Sequence, residues 1–431
     1  MEQDPTRACE LLVGLPDVRV LGVIDELGSA ITVVIEGRGA RPTCSSCGWL
    51  AVVKDRPLVE LADLPAFGRP ARLRWRKHRW SCPNPGCESG SWTERDDRIA
   101  PTRAVMTARA GRWATRQVGE HGRTVHGVAA ELGCDWHTVN TTVIEWGEAL
   151  LGADTERIGT PDALGLDETL FAKVGPFHQQ CWSTSIVDVA NPRLLDIIES
   201  RAAQGCCAWF AQRDPAWLAG IRWATLDLSG TYRSVFDTML PDAAQVADPF
   251  HVCRLANHKL DEVRRRVQNE TCGHRGRKTD PLYRARRLLT RADERLHEHG
   301  RTKLLGLLDA GDPRGEVRTA WHAKEVVRSI YEITDPDLAA EFVDRLGHDL
   351  QDRSCPPETR QLGRTLLRWH AQIVAWHRSR VTNGPTEAMN NLIKRIKRIA
   401  FGFTNFRNYR IRALLYAGRP DWTLLDTITP R

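Results

Sequence analysis

Long apolar runs are missing from this 431-residue chain. None approaches the ~18 residues that a membrane span requires, which argues against a helical membrane protein. The opening MEQDPTRACELLVGLP lacks the basic-then-apolar layout of a signal peptide, so a cytoplasmic location is expected. Lysine is scarce, at nine of the 61 basic residues, and the remaining 52 are arginine. A GC-rich genome produces that bias whatever the function, so arginine abundance alone identifies no partner. With 42% hydrophobic and 27% charged residues the composition excludes disordered and fibrous classes. At roughly 150 residues per domain the length allows two to four domains.

The formal charge of +7 is modest but clustered. Residues 264–291 hold ten basic and two acidic side chains, and residues 394–412 hold seven basic and none acidic. Such local fields suit a polyanion.

Twelve cysteines in a reducing compartment do not read as a disulfide framework. Four form two knuckles, Cys44 and Cys47 in PTCSSCGW and Cys82 and Cys87 in WSCPNPGCESG. Two such turns can set four thiolates tetrahedrally around one Zn2+, and a closed four-ligand site is structural. Between them lie strand-like pieces at 51–53 and 72–80. The second alternates Leu73 and Trp75 inward against Arg72, Arg74 and Arg76 outward. A zinc ribbon with a basic strand face is expected, with His78 as a solvated strand residue. The other eight cysteines read as small hydrophobes.

Between Arg123 and Leu151 the apolar positions Val125, Val128, Ala129 and Leu132, then Gly133-Cys134-Asp135, then Val139, Val143, Ile144 and Trp146 describe a helix-turn-helix. Gly133 supplies the tight turn and Asp135 the N-cap. The second helix would present Trp136, His137, Asn140 and Thr141 to a major groove. A helical hairpin without DNA has the same pattern.

Runs at 163–170, 179–189 and 193–199 suggest an antiparallel meander. A helix at 202–212, a strand ending at Asp227, a helix at 231–239, a strand at 244–248 and a long helix from Phe250 follow. That order is the order of an α/β, RNase H-like fold. Long helical patterns after Asn269, up to about Arg380, look like an all-helical insertion. The expected domains are therefore a zinc ribbon (1–100), a helix-turn-helix (101–155), the first part of an RNase H-like catalytic core (156–268), the insertion (269–380), and the core's C-terminal helix with a basic tail (381–431).

In this order of elements Asp167 ends or nearly ends the first strand and Asp227 ends the fourth, which would bring the two carboxylates together. Close acids repel unless a cation lies between them. Glu387 opens a helix whose apolar stripe is Ala388, Leu392, Ile396 and Ile399 and whose opposite stripe is Glu387, Asn391, Lys394 and Arg398. Three acids so placed suit phosphoryl transfer with paired Mg2+ (or Mn2+). Singly, each acid reads as readily as a cap or strand-end residue, and the three in order shift the balance. Glu168, facing the other side of its strand, is a weaker candidate than Asp167. Tyr232, Asn391, Lys394 and Arg398, with Arg275, Arg277 and Lys278 in the basic run, are candidate DNA contacts. Phe401, Phe403, Phe406 and Tyr409 are core residues or a stacking surface for unpaired bases.

On CSSC with CPNPGC, LGLDETL, TLDLSGTYRSVF, PDAAQVADPFHV, GHRGRKTDPLYRARRLL and NGPTEAMNNLIKRIKRIAFGFTNFRNYRIR, the chain resembles bacterial insertion-sequence transposases of the ISL-three family over nearly its whole length. The resemblance implies an aspartate-aspartate-glutamate triad at Asp167, Asp227 and Glu387. It also implies an Asp-x-x-His signature at Asp248 and His251, either positioning a helix or touching DNA. It further implies Mg2+-dependent cutting and joining of DNA at terminal inverted repeats, a dimer or larger assembly on duplex DNA, and a nucleoid-associated protein. A DNA-binding regulator or domesticated remnant without cleavage, and a metal-dependent nuclease without joining, are the alternatives.

Overall fold

A computed structural model describes residues 2–26 and 28–430. The chain divides into two compact units, Met1–Ile158 with Asn391–Arg431, and Gly159–Asn390. The expected C-terminal segment 381–431 is therefore split at 391, and its larger part belongs with the N-terminal region.

In the first unit helix α1 (Pro5–Val13) precedes strands β1 (Val18–Ile24), β2 (Ile31–Gly37), β3 (Val52–Asp55), β4 (Leu58–Ala66), β5 (Arg69–Arg76), β6 (Arg79–Ser81) and β7 (Ser91–Thr93). They form two sheets, ordered β1-β2-β5-β4 and β3-β6-β7. The alternation expected around Trp75 holds, since Ala71, Leu73 and Trp75 are buried with Ile35 and Leu61. The single strand expected at 72–80 is instead two strands in different sheets, broken at Lys77 and His78. The arginines of β5 do not form a free basic face. Arg74 pairs with Glu60 at 2.8 Å, Arg76 with Glu36 at 3.1 Å, and Arg72 donates to Leu132 O at 3.0 Å. His78 is not solvated either: it is held between Glu36 and Glu94 and stacks on Trp80.

Three helices follow, α2 (Ala108–Gly119), α3 (Val125–Leu132) and α4 (Trp136–Ala153). Gly133 closes α3 in the left-handed conformation at φ +61. Asp135 caps α4, accepting from Thr138 N–H at 2.9 Å. The helices bury Val128, Leu132, Val139, Val143 and Trp146 together with Ile411, Leu415 and Leu425 from the C-terminal segment.

The second unit opens with β8 (Ala163–Val174), β9 (Gln179–Asp188) and β10 (Arg193–Ile198), an antiparallel meander. Helices α5 (Ala203–Phe210) and α6 (Pro215–Ala219), strand β11 (Trp223–Leu226), helix α7 (Gly230–Met239), strand β12 (Ala244–Ala247) and helix α8 (Pro249–Cys272) follow. The sheet runs β10-β9-β8-β11-β12, with β11 parallel to both neighbours. Helices α9 (Pro281–Leu289), α10 (Glu298–Gly311) and α11 (Glu316–Ser329) pack on α8 through Leu260, Val263, Leu282, Leu304 and Trp321. Then come α12 (Pro336–Asp349), α13 (Pro357–Arg368), α14 (His370–Ser379) and α15 (Gly384–Ile399). The last helix, α16 (Phe406–Ala417), returns to the first unit. Among the described residues no helix is long and apolar enough to cross a membrane.

Candidate functional site

Strand register brings the first two acids level. The parallel ladder between β8 and β11 ends at Gly165 opposite Thr225, so Asp167 and Asp227 each stand two residues beyond the last pair. Asp227 directly follows its strand, which ends at Leu226, one residue earlier than expected. Asp167 does not end its strand: β8 continues to Val174, with Asp167 paired to Ser185 across β9.

Gly165 and Thr225 also seat the turn before α15. A Cβ at Gly165 would lie 2.2 Å from Thr386 Oγ1, so only glycine admits this approach. Thr225 Oγ1 donates to Asn383 Oδ1 at 3.1 Å. These contacts set the first turn of α15, with Glu387, against the ends of β8 and β11. The buried stripe of α15 is Met389, Ile393 and Ile396. It was expected at Ala388, Leu392, Ile396 and Ile399, but Ala388 is exposed and Leu392 only half-buried. On the other side Asn391, Lys394 and Arg398 are exposed.

The acids differ in surroundings. Asp167 accepts from Glu168 N–H at 2.8 Å and from Asn390 Nδ2 at 2.6 Å. Asn390 is itself buried and accepts from Ser185 Oγ at 2.8 Å. Asp227 has a buried Oδ1 with no hydrogen-bond partner among the described residues. Burial, and next the Asp167 charge, raise its pKa above the ordinary carboxyl value. Asp227 is not a helix cap, because Ser229 holds that position on α7. Glu387 keeps 42% of its side chain exposed.

His251, in the first turn of α8, connects the group. Its Nε2 lies 3.6 Å from Glu387 Oε1 and its Nδ1 lies 3.2 Å from Asp248 Oδ2. The second contact falls short of a well-aligned hydrogen bond, and it is an ion pair only when the imidazole is protonated. The neighbouring Asp248 is the largest cause of a raised His251 pKa, with Asp227 and Glu387 adding to it. An imidazolium here would neutralise part of a cluster of four carboxylates. The acid oxygens of Asp167, Asp227 and Glu387 do not all come within 4.8 Å of one another. The Asp167 charge raises the pKa of Asp227, and the charges of Asp227 and Glu387 raise that of His251.

The four knuckle cysteines do meet that closely. Cys44 Sγ is 3.8 Å from Cys87 Sγ, and Cys47 Sγ is 3.4 Å from Cys82 Sγ. A tetrahedral Zn2+ with ~2.3 Å bonds has ligand sulfurs about 3.8 Å apart, so the cluster is compatible with zinc. Gly48, at φ +75, lets Gly48 N–H reach Cys44 O at 2.9 Å and fold the first knuckle. Backbone amides there, that of Ser46 foremost, lower the Cys44 thiol to about 6, whereas burial pushes Cys82 up to about 12. A dication removes that disparity by stabilising all four thiolates.

Of the candidate DNA contacts, Trp136, His137, Thr141, Arg275, Arg277, Lys278, Asn391, Lys394 and Arg398 are exposed. The cations among them make no ion pair with the described residues. Two candidates are not on the surface. Asn140 is 9% exposed, lying on the inner side of α4 next to Val139 and Val143. Tyr232 is 3% exposed, with its hydroxyl 3.2 Å from Thr184 Oγ1. Asn390 was missed. Its spacing of three from Glu387 on one helix was the only sequence sign of it. Tyr409 is core, whereas Phe401 is 95% exposed.

A family model described as transposase, of the ISL-three type, matches residues 164–413, more than half of the chain. The transposase for insertion sequence element IS1001 of Bordetella parapertussis is 23% identical, over 88% of this chain and 89% of its own length. The transposase for insertion sequence element IS1557 of Mycobacterium tuberculosis is 28% identical over 62% of each chain.

Proposed function

This chain belongs to the ISL-three family of insertion-sequence transposases, and we propose that it cuts and joins DNA at the terminal inverted repeats of its element through Asp167, Asp227 and Glu387. The register that sets Asp167 level with Asp227 is the observation that carries this reading. The sheet order, antiparallel for three strands and parallel for two, supports an RNase H-like core for the second unit, with the helices after Asn269 as its insertion. The α3-turn-α4 element supports a helix-turn-helix module, next to a zinc-binding region held by Cys44, Cys47, Cys82 and Cys87.

The triad fits divalent ions in its donor set: three carboxylates, one with a buried, unpartnered oxygen. Bound there, Mg2+ (or Mn2+) would polarise water or a 3′-hydroxyl and stabilise the leaving oxygen. The protein's own residues do the positioning. Asn390 fixes the Asp167 carboxylate by donating to it, and Ser185 fixes Asn390. His251, set by Asp248, holds Glu387 from the far side. The exposed Lys and Arg residues supply phosphate contacts, which orient DNA without reading its sequence. Trp136, His137 and Thr141 face outward where a major groove can be read. Joining two ends requires two copies of this site, so a dimer or larger assembly on DNA is expected.

The test incubates the protein with its element's end sequences, Mg2+ and target DNA, beside Asp227→Asn. Nicked and joined products from the wild type alone support the proposal. End binding without either product favours a regulator, and nicks without joining favour a nuclease.

A further inference from the structure

The loop between α15 and α16 carries an aromatic side chain that packing does not explain. Phe401 is 95% exposed and sits at φ +55, a left-handed conformation that bulky residues rarely take. Lys394, Lys397 and Arg398 line an open depression beside it. On the loop's other side a cleft of about 120 Å3 separates Phe401, Phe403 and Asn405 from Trp136 and Asn140 at the start of α4. One nucleobase fits; a duplex does not.

Arg412 also lines this cleft, and no acidic residue does. It is 2% exposed, and its Nε and Nη2 have no hydrogen-bond partner among the described residues. Burial lowers its pKa, yet a guanidinium keeps its proton, so an uncompensated charge is held inside the fold. Nε and Nη2 form one edge of the guanidinium, the edge that donates two parallel bonds to paired acceptors. In DNA such a pair is either a phosphate or O6 with N7 of guanine. Three aromatic rings around the cleft offer stacking faces, which a base uses and a phosphate does not. The Phe403 ring lies over the guanidinium face at 5.9 Å, and the Nε and Nη2 edge is closed to solvent, so a base reaches that edge only when the surrounding loop shifts.

We propose that this cleft holds one unpaired guanine of a DNA end, stacked on Phe401 and Trp136, with Arg412 donating from Nε and Nη2 to its O6 and N7. The inference rests on the reading above that the chain binds DNA ends.

The full-length protein is titrated with four probes sharing one end duplex: blunt, or carrying a single unpaired guanine, adenine or abasic nucleotide. The guanine probe is expected to bind about tenfold more tightly than the adenine and abasic probes. Phe401→Ala and Arg412→Lys should each erase that difference, the second because lysine keeps the charge without the fork. Phe401 is on the surface, so its variant keeps the test open if Arg412→Lys does not fold. Equal affinity for the guanine and abasic probes overturns the proposal, and so does a preference that Phe401→Ala leaves intact. Should no probe bind, the blunt one included, the DNA-end reading itself fails and takes this inference with it.

Discussion

Replacing Asp227 by asparagine should stabilise the metal-free protein while abolishing joining. Adjacent parallel strands are about 4.8 Å apart, so the level carboxylates of Asp167 and Asp227 are separated by roughly 5 Å. Two charges at that distance repel by about 3 kcal/mol at an effective dielectric constant of 20. Both side chains are half-buried, so solvent screening reduces the expected gain to about 1–2 kcal/mol. For a unit of this size that is a rise in Tm of roughly 2–8 °C. The sign follows from the raised Asp227 pKa. The folded state holds this proton more tightly than the unfolded chain, so its contribution is present below the ordinary carboxyl range. That contribution is lost as pH rises through the raised value, and at neutral pH the wild type bears the full repulsion. The advantage of Asp227→Asn is thus greatest near pH 8 and shrinks toward pH 4. Thermal unfolding followed by tryptophan fluorescence, with and without Mg2+, checks it. Mg2+ at 100 times its Kd should raise wild-type stability by about 2.7 kcal/mol and the variant's far less. A variant less stable than wild type without Mg2+, or equal Mg2+ gains in both proteins, would refute the reasoning.

If the four cysteines hold zinc, Cys82→Ser should abolish zinc binding, measured by atomic absorption, and expose residues 44–87 to limited proteolysis, because three remaining thiols leave the tetrahedron open. Tyr232→Phe should leave DNA affinity unchanged in a gel-shift titration and lower stability by about 1 kcal/mol, the worth of its bond to Thr184. Asn390→Asp places a second carboxylate where an amide now donates to Asp167. Joining should fall at least ~100-fold at pH 8, on the scale of losing one preorganised donor, and recover in part at lower pH as the acid pair shares a proton. A flat pH dependence of that loss would contradict the role assigned to the amide.

Local chemistry was readable wherever the chain had only one way to satisfy it. The paired cysteines, the Gly133 turn, the Asp135 cap and the period-two alternation around Trp75 each follow from neighbours in sequence, and each stands in the structure. What was not readable depends on distant partners. The Arg72, Arg74 and Arg76 face reads as a polyanion-binding strand until Glu60, Glu36 and the carbonyl of Leu132 are seen to occupy it. The place of α16 was hidden for a similar reason. Its buried residues run almost around the helix, from Tyr409 and Ile411 to Arg412, Leu414 and Leu415, so no amphipathic stripe points to the helices it joins.

At the candidate site no single acid stood out, because acids are ordinary at strand ends and helix starts, and only the order of the three along strand, strand and helix drew notice. The groups that hold them are neutral and ordinary in composition. Asn390 is one of two adjacent asparagines on α15, and only the fold decides that it, rather than the exposed Asn391, meets Asp167. Tyr232 fails in the opposite direction: its hydroxyl suggested contact with DNA, yet the side chain is packed inside its unit, whereas Asn140, only 9% exposed, still borders the cleft beside Phe401. A polar side chain in sequence states only that it needs a partner, and whether that partner is internal decides structure or function. Arg412 inverts the case, since it is buried and its Nε and Nη2 edge still has none.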